Sequence, residues 1–295
     1  MPLVAAYHRP ADLDMAVELV ADPARVVLAG GTVLNADRAP STLEAVDLQA
    51  CGLAFGEAVG DRLRLGAMTT LDELRRSPDV PGALADAARV ELPSTLRSLA
   101  TVGGTVAVAD RESLLLAGLL AHDAIVELAP DDARALSDVL ADGVPAHEIV
   151  LAITVDRSGN TAVAVTGRTP ADTPIVAAYA RRAADGVRLA LCGVATAPVL
   201  VDPADPTAGL EPPGDFRGSA DYRLELARVL SARALADLDR GPPSPASSPA
   251  PRPPSTSTAT RACARRCAGP ACSASVTARS RVRPVPGRCC STAAW

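Results

Sequence analysis

Two glycine pairs are the residues of this sequence whose type and spacing best fit ligand chemistry. Each pair ends a short apolar run, in Leu28-Ala-Gly-Gly-Thr-Val-Leu34 and again in Ala100-Thr-Val-Gly-Gly-Thr105. Because glycine has no Cβ, backbone N–H groups at such a turn approach an anion closely, and consecutive amides form a concave site for a pyrophosphate. One Gly-Gly-Thr is an ordinary turn. Two such turns indicate a phosphate-bearing ligand, although their spacing does not show which one.

The sequence contains few candidate residues for catalysis or metal binding. The sequence contains no lysine, which excludes a P-loop lysine and a Schiff-base lysine. The three histidines show no metal-ligand spacing, and we interpret them as structural. Five cysteines near the C-terminus fit neither a zinc site nor an iron–sulfur site; they are Cys263, Cys267, Cys272, Cys289 and Cys290. We therefore predict no catalytic residue and no metal ligand.

Composition limits the classes of partner. All 34 acidic residues precede Gly241, and an acidic globular part repels phosphate backbones, so we expect no nucleic-acid binding. The first twenty residues lack the pattern of a signal peptide. The longest apolar stretch, 114–129, is interrupted by His122 and Asp123 and is too short to span a bilayer. We expect a cytoplasmic protein without membrane association.

The elements that must position the glycine pairs alternate between helical and extended patterns. Hydrophobic periodicity and capping residues predict helices at 10–20, 71–76, 81–89 and 113–121, with Thr69 or Thr70 as the N-cap of the second. Strands are predicted at 25–29, 63–68 and 124–128. The segment 101–109 around the second glycine pair is predicted to be extended.

The pattern changes after Pro145. Predicted strands at 149–155, 161–165, 175–180 and 187–194 are joined by short polar turns, which indicates an antiparallel sheet, and a helix follows at 219–238. Residues 241–295 are rich in Pro, Ser and Thr and then in Cys and Arg, with no apolar period. We interpret them as a disordered tail or as a frameshifted reading of a GC-rich gene, and we favour the frameshift.

In these segments the sequence resembles the FAD-binding subunits of molybdenum hydroxylases, the family of xanthine dehydrogenase and carbon monoxide dehydrogenase. The likeness covers about residues 1–240. The matching segments are LAGGTVL at 28–34, RLRLGAMTTLDEL at 62–74, LPSTLRSLATVGGT at 92–105, HEIVLAITV at 147–155, VRLALCGVATAPV at 187–199 and GDFRGSADYRLELARVLSARAL at 214–235.

The resemblance implies an α+β fold. Residues 1–145 would form a p-cresol methylhydroxylase-type FAD-binding domain of two α/β subdomains. Residues 146–240 would form a small C-terminal domain made of an antiparallel sheet plus a helix, and residues 241–295 the disordered tail. The implied partners are a molybdopterin-containing large subunit and a small subunit with 2Fe-2S clusters. Electrons would pass from those clusters through FAD to NAD, a quinone or oxygen.

The resemblance also implies which residues hold FAD. The first loop would bind the diphosphate through backbone amides, the second loop would complete that grip, and Ile149 and Val150 would lie along the flavin or adenine. We expect Ser113, at the start of the predicted buried helix, to bind the cofactor as well. The loop residues are Ala29, Gly30, Gly31, Thr32 and Val33, followed by Thr101, Gly103, Gly104 and Thr105.

Three departures from the family pattern leave alternatives open. Relatives usually carry Asn after the second glycine pair and, ten residues after that pair, an Asp that holds a ribose hydroxyl; Thr105 and Leu114 stand here. Val163 stands where an aromatic residue often shields the flavin ring. One alternative is therefore a scaffold subunit with weak or lost FAD binding, and another is a self-contained flavin oxidase.

Overall fold

The computed structural model describes residues 4–34, 36, 42–167 and 172–240. The predicted tail at 241–295 lies outside the described residues, so both interpretations of it stay predictions. The described residues form three β-sheets and eight α-helices. None of these helices is both long enough and apolar enough to span a membrane.

The first sheet has three parallel strands in the order β1-β3-β2, and helix α1 (Leu13–Val20) packs against it. Helix α1 begins three residues later than predicted because the Asp12 side chain accepts the N–H of Met15 and so caps it. Strand β2 ends at Leu28, one residue earlier than predicted, so that Ala29 separates it from the first glycine pair. The strands are β1 (Ala6–His8), β2 (Arg25–Leu28) and β3 (Glu44–Asp47).

The second sheet has five antiparallel strands in the order β4-β5-β8-β6-β7. Strand β8 was predicted to begin the sheet of the second domain, and this was wrong. It lies at the centre of the second sheet, where Ile153 pairs with Leu65 on one side and Val126 on the other. Its nearly continuous apolar run fits this position, because a central strand is covered on both faces. The strands are β4 (Gly56–Val59), β5 (Arg62–Gly66), β6 (Ile125–Ala129), β7 (Asp132–Ala135) and β8 (Ile149–Asp156).

Six helices accompany this second sheet. Thr70 caps α2 in a reciprocal capping box with Glu73, which selects Thr70 over Thr69 as the N-cap. All eight residues of α6 are buried, as its uniformly apolar sequence predicted. The helices are α2 (Leu71–Arg76), α3 (Gly82–Glu91), α4 (Ser94–Arg97), α5 (Val102–Val108), α6 (Leu114–Ala121) and α7 (Leu136–Asp142).

Helix α5 corrects the prediction that 101–109 is extended. Its two glycines disfavour a helix, but tertiary contacts outweigh that propensity. The Thr101 side chain caps the N–H of Gly104, and Gly103 packs directly against Ala67, where a longer side chain has no room. The second glycine pair therefore lies in the first turn of a helix.

The third sheet has four antiparallel strands in the order β12-β11-β10-β9, followed by helix α8 (Ala220–Arg240). One face packs on Ala227, Leu230 and Ala234 of α8. The other face packs through Tyr179 on α6, which belongs to the preceding region. This confirms the predicted sheet-plus-helix region. The strands are β9 (Asn160–Thr166), β10 (Val176–Ala183), β11 (Gly186–Cys192) and β12 (Val199–Val201).

A buried polar network joins α6, β8 and β10. His122 Nδ1 donates to the carbonyl of Asp156 at 2.6 Å, and Nε2 lies 3.1 Å from the Tyr179 hydroxyl. The fully buried guanidinium of Arg181 forms ion pairs with Asp123 at 2.9 Å and Asp156 at 2.7 Å. Burial lowers the pKa of His122 to about 4.

This pKa predicts a dependence of stability on pH. Since the pKa of His122 is lower in the folded chain than its ordinary 6.5, neutral His122 stabilises the fold fully above that pH and progressively less as the pH falls towards 4. Between pH 6.5 and 5 this group alone is expected to remove about 2 kcal/mol of unfolding free energy. Urea unfolding of the His122→Gln variant should show a weaker pH dependence, whereas the exposed His147→Gln control should match the unaltered chain.

Ala109 generates a second prediction. It ends α5 in the left-handed region at φ 51°, where a Cβ is unfavourable. Ala109→Gly is expected to raise the unfolding free energy by about 0.5–1 kcal/mol because glycine adopts this conformation freely. The same change inside helix α3, Ala85→Gly, should lower it by about as much. Thermal unfolding of the two variants should therefore shift in opposite directions.

Candidate cofactor-binding site

The first glycine loop presents unused hydrogen-bond donors. It follows β2 at the end of the parallel sheet, and Gly31 adopts a positive φ of 67° that turns the chain. Among the residues that the structure describes, none accepts a hydrogen bond from the backbone N–H groups of residues 30–33. Four consecutive donors without a protein acceptor form an arrangement suited to an anion.

The second glycine loop differs, although its sequence is similar. The N–H of Gly103 donates to the Ala67 carbonyl at 2.9 Å, and the N–H of Gly104 donates to Thr101 Oγ1 at 3.1 Å. The Thr105 hydroxyl and amide both donate to the Thr101 carbonyl. These amides are bonded within the protein, and the expectation that the second loop completes the grip on the diphosphate stays a prediction. The hydroxyl hydrogen and the backbone N–H of Thr101 have no acceptor among the described residues.

Close backbone contact brings the two loops together. A Cβ on Gly30 would lie 1.8 Å from the Leu99 carbonyl oxygen, so the first loop touches the segment that leads into the second. A Cβ on Gly103 would lie 2.6 Å from the Cβ of Ala67. By contrast, a Cβ on Gly104 would meet only Thr101 Oγ1, at 3.0 Å. The first glycine of each pair thus permits close packing against backbone, whereas a Cβ on Gly104 meets a single side-chain oxygen in a tight contact.

Both loops line one cavity of about 370 Å³, within the range of small-molecule sites. Eleven of the twelve predicted residues lie on it: Ala29, Gly30, Gly31, Thr32, Val33, Thr101, Gly103, Gly104, Thr105, Ile149 and Val150. The twelfth, Ser113, does not line the cavity. Its hydroxyl oxygen accepts the N–H of Leu116 at 3.0 Å and caps α6.

Three carboxylates on the cavity wall were missed by sequence reasoning: Glu91, Asp110 and Glu148. One buried oxygen of Glu148, Oε2, has no hydrogen-bond partner among the described residues. Burial raises the pKa of Glu91 to about 7. The segment around Ile149 pointed to Glu148, but a glutamate at the end of an amphipathic helix, such as Glu91, is usually solvent-exposed and gave no signal. The described residues contain no group of side chains that could hold a metal ion.

A family model for the FAD binding domain in molybdopterin dehydrogenase matches residues 3–155 of this chain. The chain belongs to this family. A curated relative, the uncharacterized protein YgfM of Escherichia coli strain K12, is 30% identical over 253 residues. The matched segment is 80% of this chain and 96% of that protein.

Solved structures share the fold of this member of the family. Carbon monoxide dehydrogenase from Hydrogenophaga pseudoflava, lacking the Mo-pyranopterin moiety of its molybdenum cofactor, aligns with a TM-score of 0.74 and 22% identity. Quinoline 2-oxidoreductase from Pseudomonas putida 86 aligns with a TM-score of 0.71 and 22% identity. Each alignment covers 81% of this chain and 99% of the matched one. The predicted fold is confirmed.

The glycine contacts predict unequal effects of the same substitution. Gly30→Ala is expected to lower the unfolding free energy by about 1–3 kcal/mol or more, because the new methyl group overlaps a backbone carbonyl that cannot move freely. Gly104→Ala should lose clearly less, because its methyl group meets only the Thr101 hydroxyl oxygen and alanine favours the helix in which it lies. Urea unfolding measures both. Equal losses would contradict the assignment of Gly30 to loop packing.

Proposed function

We propose that this cavity binds FAD and that the chain is the FAD-binding electron-transfer subunit of a molybdenum hydroxylase or dehydrogenase complex. The observation that carries the proposal is that both glycine loops, predicted from the sequence to hold one dinucleotide, line the same cavity. The family match supports the choice of FAD among phosphate-bearing ligands.

The residues on the cavity fit the chemistry of FAD. The four free amides of residues 30–33 suit its anionic diphosphate, and the Thr101 hydroxyl adds a donor. FAD also carries O–H and N–H donors, and the unpartnered Glu148 oxygen offers one of them an acceptor. Apolar Ile149 and Val150 offer a surface for a flat ring. A ligand with phosphates alone would leave this wall unused.

In the proposed mechanism the chain holds the cofactor and does little chemistry of its own. Bound FAD supplies the one- and two-electron redox chemistry. The first loop fixes the diphosphate, and the buried side chains of Ile149 and Val150 exclude water from that wall. Electrons would arrive from the iron–sulfur clusters of a small partner subunit, themselves supplied by a molybdopterin-containing large subunit. They would leave to an external acceptor.

The direct test is to titrate the purified full-length chain with FAD. We expect a yellow 1:1 complex with quenched flavin fluorescence and higher thermal stability, since a ligand that binds only the folded chain stabilises it. FMN, which lacks the diphosphate linkage and adenosine, should bind much more weakly. Absence of any FAD binding would instead support the alternative, a scaffold subunit that keeps the fold.

A variant that narrows the cavity sharpens this test. Gly104→Val extends a branched side chain from the glycine of the second loop whose Cβ would meet no backbone atom from outside its own helix, and it is expected to weaken FAD binding at least tenfold. Gly82→Val is the control, because Gly82 also lies in the first turn of a helix but does not line the cavity. If both variants bind FAD like the unaltered chain, the cofactor lies elsewhere.

A further inference from the structure

Glu91 is the cavity residue whose environment is least explained by the fold. It ends helix α3, yet its carboxylate turns inward and lines the cavity. Oε2 accepts the N–H of Leu115 at 3.1 Å, and the Ser113 hydroxyl donates to the same carboxylate. Glu91 is therefore joined to the N-terminal turn of α6, in which every residue is buried.

This carboxylate weakens the fold at neutral pH. Desolvation raises the pKa of Glu91 to about 7 in spite of its two donors, and the nearby charge of Asp110 adds repulsion. An amide at this position would accept the same hydrogen bonds without burying a charge. A charged group that lines a ligand cavity although it destabilises the fold is typical of a functional residue.

The chemistry of the cavity limits what Glu91 can bind. Phosphate oxygens would repel it, so a diphosphate held by residues 30–33 must lie away from the carboxylate. The groups of FAD that flank the diphosphate are the adenosine ribose and the ribityl chain, and both carry hydroxyls. Hydroxyl donors form short, strong hydrogen bonds with carboxylates.

We propose that Glu91 positions the cofactor by accepting a hydrogen bond from a sugar hydroxyl of FAD, and that Ser113 and the Leu115 amide hold its carboxylate in place. This inference rests on the proposed function. It also gives Ser113 a role, which is to orient Glu91 from outside the cavity. Through Glu91, a sugar of the dinucleotide would thus be connected by hydrogen bonds to helix α6, in which every residue is buried.

The first experiment compares Glu91→Gln with Asp86→Asn in the full chain. Asp86 is an exposed acid on the same helix and does not line the cavity, so its variant matches the loss of charge. We expect Glu91→Gln to weaken FAD binding about tenfold while the FAD-free chain at pH 8 melts at the same or a higher temperature. Asp86→Asn should bind FAD within twofold of the unaltered chain.

A purely structural Glu91 would give the reverse pattern. The FAD-free Glu91→Gln chain would then melt at a lower temperature, and its affinity for FAD would be unchanged; this result overturns the inference. If the unaltered chain itself does not bind FAD, the proposed function fails first. If the unaltered chain binds FAD and Glu91→Gln binds it equally well, only the inference about Glu91 fails.

The second experiment needs no stable variant. FAD analogues that each lack one hydroxyl, either in the ribose or in the ribityl chain, are titrated against the unaltered chain. One analogue should lose about tenfold in affinity, and its identity shows which sugar Glu91 contacts. For that analogue, Glu91→Gln should cause little further loss. Equal affinity for every analogue would show that no sugar hydroxyl is held, which overturns the proposal.

Discussion

The contact between Gly30 and the Leu99 carbonyl is the constraint on which the candidate site depends. With a Cβ position only 1.8 Å from that oxygen, no other residue allows the end of the parallel sheet to reach the segment before α5. The next residue after Leu99, Ala100, is bonded to α2, because its carbonyl accepts the N–H of Leu71 at the start of that helix. The first glycine loop and the segment at residues 99–101, which are distant in sequence, are therefore in direct backbone contact. The cavity lies beside this contact.

Two similar Gly-Gly-Thr segments have different physical roles, and sequence alone cannot separate them. In the first, Gly31 adopts a positive φ, and no described residue accepts a hydrogen bond from the N–H groups of residues 30–33. In the second, the same glycines lie in a helix whose first amides are bonded to Ala67 and Thr101. The difference arises from what each segment packs against. The first segment follows the parallel sheet as a loop, whereas in the second segment the N–H groups of Val102 and Gly103 donate to the carbonyls of Thr69 and Ala67, in the connection between β5 and α2.

Sequence patterns predicted most of what local chemistry decides. Apolar periodicity located the buried helix α6 and three strands of the third sheet, and cap chemistry offered Thr70 as the start of α2. Eleven of the twelve residues that the resemblance implies for the cofactor line one cavity, and their role in binding stays a prediction. The errors concern partners that only the fold supplies. Strand β8 has an apolar run that suits either sheet, and its pairing with β5 and β6 depends on contacts far along the chain.

The carboxylate of Glu91 makes one departure from the family pattern, Leu114, less significant. In the sequence alone, Leu114 replaces the Asp that holds a ribose hydroxyl in relatives, and this argues against FAD binding. In space, the Glu91 side chain comes from another helix and accepts the N–H of the next residue, Leu115, and Glu91 itself lines the cavity. A hydrogen-bond acceptor is defined by where its oxygen lies, and two positions far apart in sequence can supply one to the same region. Under the proposed function, Leu114 is therefore weaker support for a scaffold subunit than its identity suggests.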